Sequence, residues 1–279
     1  MTGYITHKAV ELDALSKKVL AGVDLTSTSY DWQPKFDGCN MVVTKHGNTI
    51  MLSSRTANKV HSAQHIAQAL YYFPDGMYFG EYIIPSQPFP LISGAFRDTK
   101  EQHPDAVYVI FDLVQHSEYT SGTSAPWSVR KSRLDVLPTA PEIIKCPSGT
   151  RAEMEDWISN HPEFYYDGLI ARLNTGVFIK GSSGKGGEIL KVKKQNSLDL
   201  VLKEIHTSPG KVTKRPVYTL ETEYQGMQVI VGSGVPHTKK DLPKVGSIIE
   251  VEFLGLLPSG ALREPRYKGI RTDKINPDN

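Results

Sequence analysis

Cysteine is nearly missing from this chain of 279 residues: only Cys39 and Cys146 are present. Two cysteines could form one bridge, but neither has the paired spacing of a zinc site, so two small buried or half-buried thiols are expected. Long apolar runs are missing as well. No stretch approaches the roughly 20 residues that cross a bilayer, and 39% hydrophobic with 22% charged residues is the composition of a soluble globular protein. The opening MTGYITHKAVELDALSKK has no basic stretch leading into an apolar one, so a secretory leader is not expected and a reduced, cytoplasmic protein is. An excess of one charge is also lacking. A formal charge of +2 excludes a protein coated in base all round. Internal repeats are absent, and the one biased segment, GSSGKGG at 181–187, reads as a flexible surface turn, because the helix that would complete a phosphate cradle does not follow it.

Basic residues are present locally. Residues 185–194 hold four lysines, 203–215 four lysines or arginines and 263–274 five, so the C-terminal part carries a positive field that the total conceals. The length suits one large domain and one small one. Helical spacing of Val10, Leu12, Leu15, Val19 and Leu20 predicts a helix over 8–21, and Val60, Ile66, Ala69, Leu70 and Phe73 predict another over 60–73. Alternating runs at 41–44 and 49–52 around His46-Gly47-Asn48 predict a hairpin. Strands are expected in MYFGEYII, AVYVIFDLV, DGLIARL and EILKVKK, with a helix over 151–159. The result is an α+β body. After Asn196 only strands and turns follow, in LDLVLKEIH, PVYTLETEY, MQVIVGSGV, SIIEVEFLG and a last segment ending at Arg271. Five short strands in so few residues fit a small all-β barrel of the OB type. The expected domains are 1–195 and 196–279.

The sharpest chemical signal is Lys35-Phe36-Asp37-Gly38. A lysine is a nucleophile only when neutral, which an enzyme arranges by partial burial or nearby positive charge; by itself the run also fits a hairpin approach. Glu81 and Asp167 stand in otherwise apolar strands, where an inward carboxylate needs a cation or hydrogen-bond donors and an outward one needs only water. Lys191 and Lys193 lie on one face of their strand. Two ammonium groups on one face suit solvent or a shared anion such as phosphate.

In this order the segments resemble the motifs of the covalent nucleotidyltransferase superfamily, which includes DNA ligases, RNA ligases and mRNA capping enzymes. KFDGCN resembles the nucleotidyl-lysine motif, LSSRTANKV the next, FGEYII the motif with a ribose or metal glutamate, and VYVIFDLV the segment that stacks on the base. DGLIARL and ILKVKK resemble the metal-carboxylate and paired-lysine motifs. LREPRYKGIRTDK resembles the closing motif of ATP-dependent DNA ligases, particularly short bacteriophage enzymes. The resemblance implies a nucleotidyltransferase (adenylation) domain with antiparallel sheets, followed by an OB domain. It implies a ligase of DNA repair or replication that uses ATP with Mg2+ or Mn2+ and acts on nicked duplex DNA, as a monomer, in a host cytoplasm if phage-encoded.

Carried over residue by residue, Lys35 is implied as the nucleophile and Asp37 as a ribose or orienting group. Glu81 and Asp167 are implied as metal ligands, and Lys191 and Lys193 as phosphate contacts. Gln33 is implied to read the adenine amino group, Gly38 to line the nucleotide site, Phe111 to stack and Arg55 to hold the nick phosphate. Arg263, Arg271 and Lys274 are implied to orient pyrophosphate. Arg55, Lys59 and Lys185 are the expected nucleic-acid contacts. Two departures stand out: Asn40 where DNA ligases usually have Arg, and Asp167 in place of Glu. Asn40 and the form FGE also suit an RNA-repair ligase. A GTP-dependent capping enzyme and a catalytically inactive OB-containing nucleic-acid-binding protein are the other readings. The separate N-terminal DNA-binding domain of large ligases is not expected.

Overall fold

The computed structural model describes residues 5–122, 124–182, 184–192, 196–210, 215–253, 255–257 and 259–278. The chain divides into two compact units, Met1–Val192 and Lys193–Asn279. In chain order the first carries β1 (Tyr30–Phe36), β2 (Cys39–His46), β3 (Thr49–Ser54), β4 (Gly76–Ile83), β5 (Val107–Val114), β6 (Ile143–Lys145), β7 (Tyr166–Leu173) and β8 (Ile189–Val192). Its helices are α1 (Lys17–Leu20), α2 (Gln64–Ala69), α3 (Phe89–Arg97), α4 (His116–Ser121), α5 (Trp127–Asp135) and α6 (Arg151–Asn160). The fold class is mixed α+β, as the strand and helix patterns imply.

Five strands form a sheet in the order β3-β2-β4-β5-β6, antiparallel except where β6 runs parallel to β5. Gly47, at φ 54, permits the two-residue connection from β2 to β3. Alternation puts Met41, Val43, Tyr78, Tyr82, Tyr108 and Ile110 on one face, where they pack with Ile66, Leu70, Ile92, Phe96 and Trp127 from the helical segments. Burial of each large side chain contributes roughly 1.5–3 kcal/mol, which makes this the main core.

The second sheet, in the order β1-β7-β8, has two unlike faces. Trp32, Leu169, Ala171 and Leu190 turn to a core shared with Val10, Leu15 and Met154. Opposite them, alternation and register put Asp31, Gln33 and Lys35 of β1 beside Arg172 of β7 and Lys191 of β8. A strand that buries one apolar edge thus offers a row of polar groups on the other. Helix α6 supports the apolar side; its start is fixed by a capping box in which Thr150 and Glu153 satisfy each other's backbone N–H.

The helix expected over 8–21 is mostly absent. Val10 instead bridges to Leu190, its N–H bonding to Ile189 O and its carbonyl accepting from Lys191 N at 2.8 Å. Only α1 and one 3-10 turn at Leu12–Ala14 remain helical. The same apolar residues reach the core from an extended segment. Both cysteines are free, Cys39 half-buried and Cys146 buried. No described helix is long and apolar enough to cross a membrane.

The second unit is all-β: β9 (Asn196–Val201), β10 (Glu204–Pro209), β11 (Pro216–Tyr224), β12 (Met227–Val231), β13 (Ile248–Phe253) and β14 (Arg266–Ile270). The described strands pair in two three-stranded antiparallel sheets, β14-β13-β9 and β10-β11-β12, around Leu200, Leu220, Val231, Ile249, Val251 and Tyr267. LDLVLKEIH, expected as one strand, is two. Leu202 N bonds to Ser247 O and Lys203 N to Glu221 O, so the chain leaves one sheet and enters the other between these residues. The boundary expected at 195 falls among residues 193–195, outside the described residues.

Candidate active site

Lys35 sits at an irregularity. Pro34 pairs with Leu169 and Phe36 with Tyr166, so two residues of β7, Asp167 and Gly168, stand opposite Lys35 alone. An extra residue on one strand bends it and redirects its side chains. Gly168 takes up the bend at φ 119, where a Cβ would be strained. The bulge turns Asp167 toward the lysine, and Lys35 Nζ donates to Asp167 Oδ2 at 2.5 Å. Their side chains are 26% and 10% exposed: the amine can be reached, and the carboxylate is almost covered. Asp167 Oδ1 is buried with no hydrogen-bond partner, a costly state that a cation or a donor from a ligand would relieve. Phe36 pins the end of β1, its ring 5.1–5.8 Å from those of Trp157, Phe164 and Tyr166.

Directly after this end, β2 runs close along β4. A Cβ on Gly38 would lie 2.4 Å from Tyr82 O, 2.5 Å from Ile83 Cγ2 and 2.9 Å from Glu81 Cγ, so only glycine fits. One turn of register further, Asn40 stands opposite Glu81. Its Nδ2 donates to Gly80 O at 3.3 Å, and its Oδ1 is buried without a hydrogen-bond partner. Burial pushes the Glu81 carboxyl up to about 7, against the pull of the Lys35 ammonium; nearby Asp37 adds to the rise. Lys35, Asp37, Asn40 and Glu81 therefore share one electrostatic environment. Asp37 is buried, and its N–H bonds to Tyr165 O.

Gln33 is 1% exposed. Its Oε1 accepts from Arg172 Nε at 2.7 Å and its Nε2 donates to Phe111 O at 3.3 Å, so its amide is already oriented from both ends. The Arg172 guanidinium also lies 5.5 Å from the half-buried Phe111 ring.

Among solved structures the chain is similar to a Lig E DNA ligase described as binding DNA with a minimal scaffold. The TM-score is 0.68 at 16% identity, over 95% of this chain and 99% of that one. It is similar to a structure designated Pmar-Lig, with a TM-score of 0.70 at 18% identity, over 98% of this chain and 68% of that one. The ATP-dependent DNA ligase of bacteriophage T7 in complex with ATP gives 0.52 at 14% identity, over 96% and 98% of the two chains. The chain has the fold of ATP-dependent DNA ligases. No family model and no curated protein matches the sequence itself.

The remaining candidates are spread over four places. Arg55 and Lys59 are exposed around the turn after β3, which Ser54 Oγ organises by accepting from the Thr56 and Asn58 N–H groups. Arg55 is among the charges that bear on Glu81. Lys185 is exposed in the 181–187 loop. Lys191 Nζ is ion-paired with Glu11 at 3.1 Å, while Lys193 lies outside the described residues. In the second unit, Arg271 Nη1 meets both oxygens of Asp199 at 3.0 Å, and Lys274 Nζ meets Asp199 Oδ2 at 3.1 Å. Arg271 also grips Asp273 with two bonds. Arg263 is placed by its backbone N–H bonding to Gly255 O.

Sequence reasoning passed over a buried charge network behind Gln33. Asp112 accepts from Arg130 Nε at 2.8 Å and from Arg172 Nη1 at 3.0 Å. Burial alone would raise its pKa, but the guanidinium groups of Arg130 and Arg172 hold it below the usual carboxylate range. Trp127 lies under Arg172 at 4.4 Å and donates to Asp31, which also accepts from Lys131 at 2.7 Å. The signal was present: Asp112 and Arg172 are opposite charges in two strands that are otherwise nearly all apolar, VYVIFDLV and DGLIARL. Such charges are retained when they are paired with each other.

Proposed function

We propose that the chain is an ATP-dependent DNA ligase, which seals 3′-hydroxyl/5′-phosphate nicks in duplex DNA through an AMP-lysine at Lys35. One observation carries the reading: on a DNA-ligase fold, a partly exposed lysine is aimed by a strand bulge and held at 2.5 Å by a carboxylate. A neutral Lys35 amine would attack the α-phosphorus of ATP. The N–P bond forms, the bond to the β-phosphate oxygen breaks, and pyrophosphate leaves. AMP would then pass to the 5′-phosphate of a nick, and the 3′-hydroxyl would displace it to join the strands. Asp167 holds the amine in place before attack, and Asp37 would engage ribose or orient the site. Gln33 and Phe111, fixed by Arg172, would bound the base. Lys191 and Lys193, with Arg263, Arg271 and Lys274 of a second unit read as an OB domain, would take the phosphate charge.

Glu81 and Asp167 fit a hard divalent cation, because the lone buried Oδ1 of Asp167 and a carboxyl raised by burial are both relieved by positive charge. They would hold Mg2+ or Mn2+, which neutralises charge on phosphate oxygens. Arg55, Lys59 and Lys185 are the proposed contacts to DNA, made by a monomer in the cytoplasm.

The test begins with purified protein, ATP and magnesium. Intact and peptide mass should show one AMP on Lys35, with Lys35→Ala carrying none and joining no nicked DNA. Strand joining by that variant would end the reading. A second reading, sealing of RNA, has one observation in its favour. Asn40, at the place where DNA ligases usually carry Arg, is a neutral amide with an uncommitted buried oxygen. Parallel nicked DNA and nicked RNA duplexes decide between them.

A further inference from the structure

The outward face of the β10-β11-β12 sheet carries a second group of ligand-forming side chains, in the unit that does not contain Lys35. Ile205, Leu220, Val229 and Val231 turn into the core, so alternation turns Glu204, His206, Glu221, Glu223 and Gln228 outward. Glu204 stands directly opposite Glu221 in the antiparallel register. Like charges in that position repel. Glu223 adds a third carboxylate on the same face, but Lys203 Nζ holds it at 2.5 Å. The remaining pair of carboxylates has an imidazole between its members. His206 Nε2 is 2.6 Å from Glu221 Oε2, and Nδ1 is 3.7 Å from Glu204 Oε1. One ligand atom from each of Glu204, His206 and Glu221 lies within 4.8 Å of the other two.

We propose that Glu204, His206 and Glu221 form a divalent-cation site of the zinc class on the second unit. Three lines of chemistry support it. Two facing carboxylates leave a local negative charge that a dication neutralises. One imidazole with two carboxylates is a mixed nitrogen and oxygen set, which favours Zn2+ over the all-oxygen preference of Mg2+. Ligands at zinc distances stand roughly 3.3 Å apart on a tetrahedral ion. The observed separations, all within 4.8 Å, are close to that value, and the side chains that would adjust them face solvent. One ring nitrogen binds the ion, the other keeps its proton, and water completes the shell. Gln228 hydrogen-bonds to Glu221 and limits its freedom, which lowers the entropy lost on binding. This site is independent of Glu81 and Asp167 and of the proposed ligase reaction.

The full chain, with saturating Mg2+ present, would be titrated with Co2+ as the coloured substitute for Zn2+, followed by visible absorption, and with Zn2+ by calorimetry. One equivalent should bind. His206→Ala and Glu221→Gln should each weaken binding roughly tenfold or more, while Asp167→Asn should bind as the parent does. Glu204→Gln, at an exposed position, repeats the test without a packing change. Full-strength binding in all three sheet variants overturns the site, as does loss of binding in Asp167→Asn alone. Absence of saturable uptake below about 1 mM cation overturns it equally.

Discussion

Glu81 is the group whose titration bears most directly on the first unit. Burial lifts its carboxyl from 4.5 to about 7. In the unfolded chain it would lose its proton near the ordinary value. Between those two values the folded protein binds a proton that the unfolded chain has released, so raising pH through this window favours unfolding. Below the window neither state pays; above about 7 the full cost of a buried charge remains. Glu81→Gln has no such cost. Its melting temperature relative to the parent should therefore climb from pH 4.5 to 7 and then level off, measured by thermal melts across that range. A difference independent of pH would refute the burial argument. Under the proposed reaction the same variant should lose roughly a hundredfold in AMP transfer to Lys35. At this scale the sequence was informative where a polar residue broke an apolar strand, which singled out Glu81 and Asp167 while leaving open which way they faced; the structure turns Asp167 to Lys35. It was silent where a charge is satisfied by a distant partner. That Lys191 meets Glu11, or that Gln33 is held by Arg172, depends on which strands become neighbours, and no local pattern encodes it.

The strand bulge is the element that makes the site, and glycine is what allows it. Gly168→Ala places a Cβ at φ 119, which costs about 1–3 kcal/mol, and the chain can escape the strain only by straightening the bulge that aims Asp167. A control is available in Gly47→Ala, also at positive φ, where an added Cβ meets nothing within 4 Å. Both variants should melt earlier than the parent, but only Gly168→Ala should slow lysine adenylation when each is assayed well below its melting temperature. Equal rates in the two variants would separate the bulge from the chemistry. The elements differ in how readable they were. The β2–β3 hairpin shows in its alternating runs, while β4, β5 and β7 show as short, nearly continuous apolar runs, because these strands are covered along both faces. Helix α5, WSVRKSRLD, shows only Trp127 and Leu134 as buried hydrophobics, too sparse a stripe to register, and β6 is three residues long. The segment before α1 has helical spacing yet is extended at Val10, because bonding to the edge of β8 satisfies its backbone better than an isolated short helix would.

Across the whole molecule, charge distribution decides how the nucleic acid of the proposed function would be held. The basic runs of the second half suggest a large phosphate-binding surface, but the structure has already committed much of them. Lys203 pairs with Glu223, Lys268 with Glu252 at 3.0 Å, and Arg271 and Lys274 with Asp199. A cation in an ion pair exchanges one partner for another when phosphate arrives, so its contribution to binding is smaller than that of a free one. The strand-only texture after Asn196 was legible; which cations are spoken for was not, since their partners are distant in sequence. Duplex binding under the proposed function should consequently be salt-sensitive but modest, with few counterions released. Each neutralised phosphate contributes about 0.9 to the slope of log affinity against log salt. About four contacts would then weaken binding roughly a hundredfold between about 50 and 200 mM salt, with little dependence on base sequence. Fluorescence anisotropy with two nicked duplexes of unrelated sequence measures both quantities. A slope steeper than about −8 would mean that the ion pairs open to release their cations, and a sequence preference would mean that base edges, not phosphates, are being read.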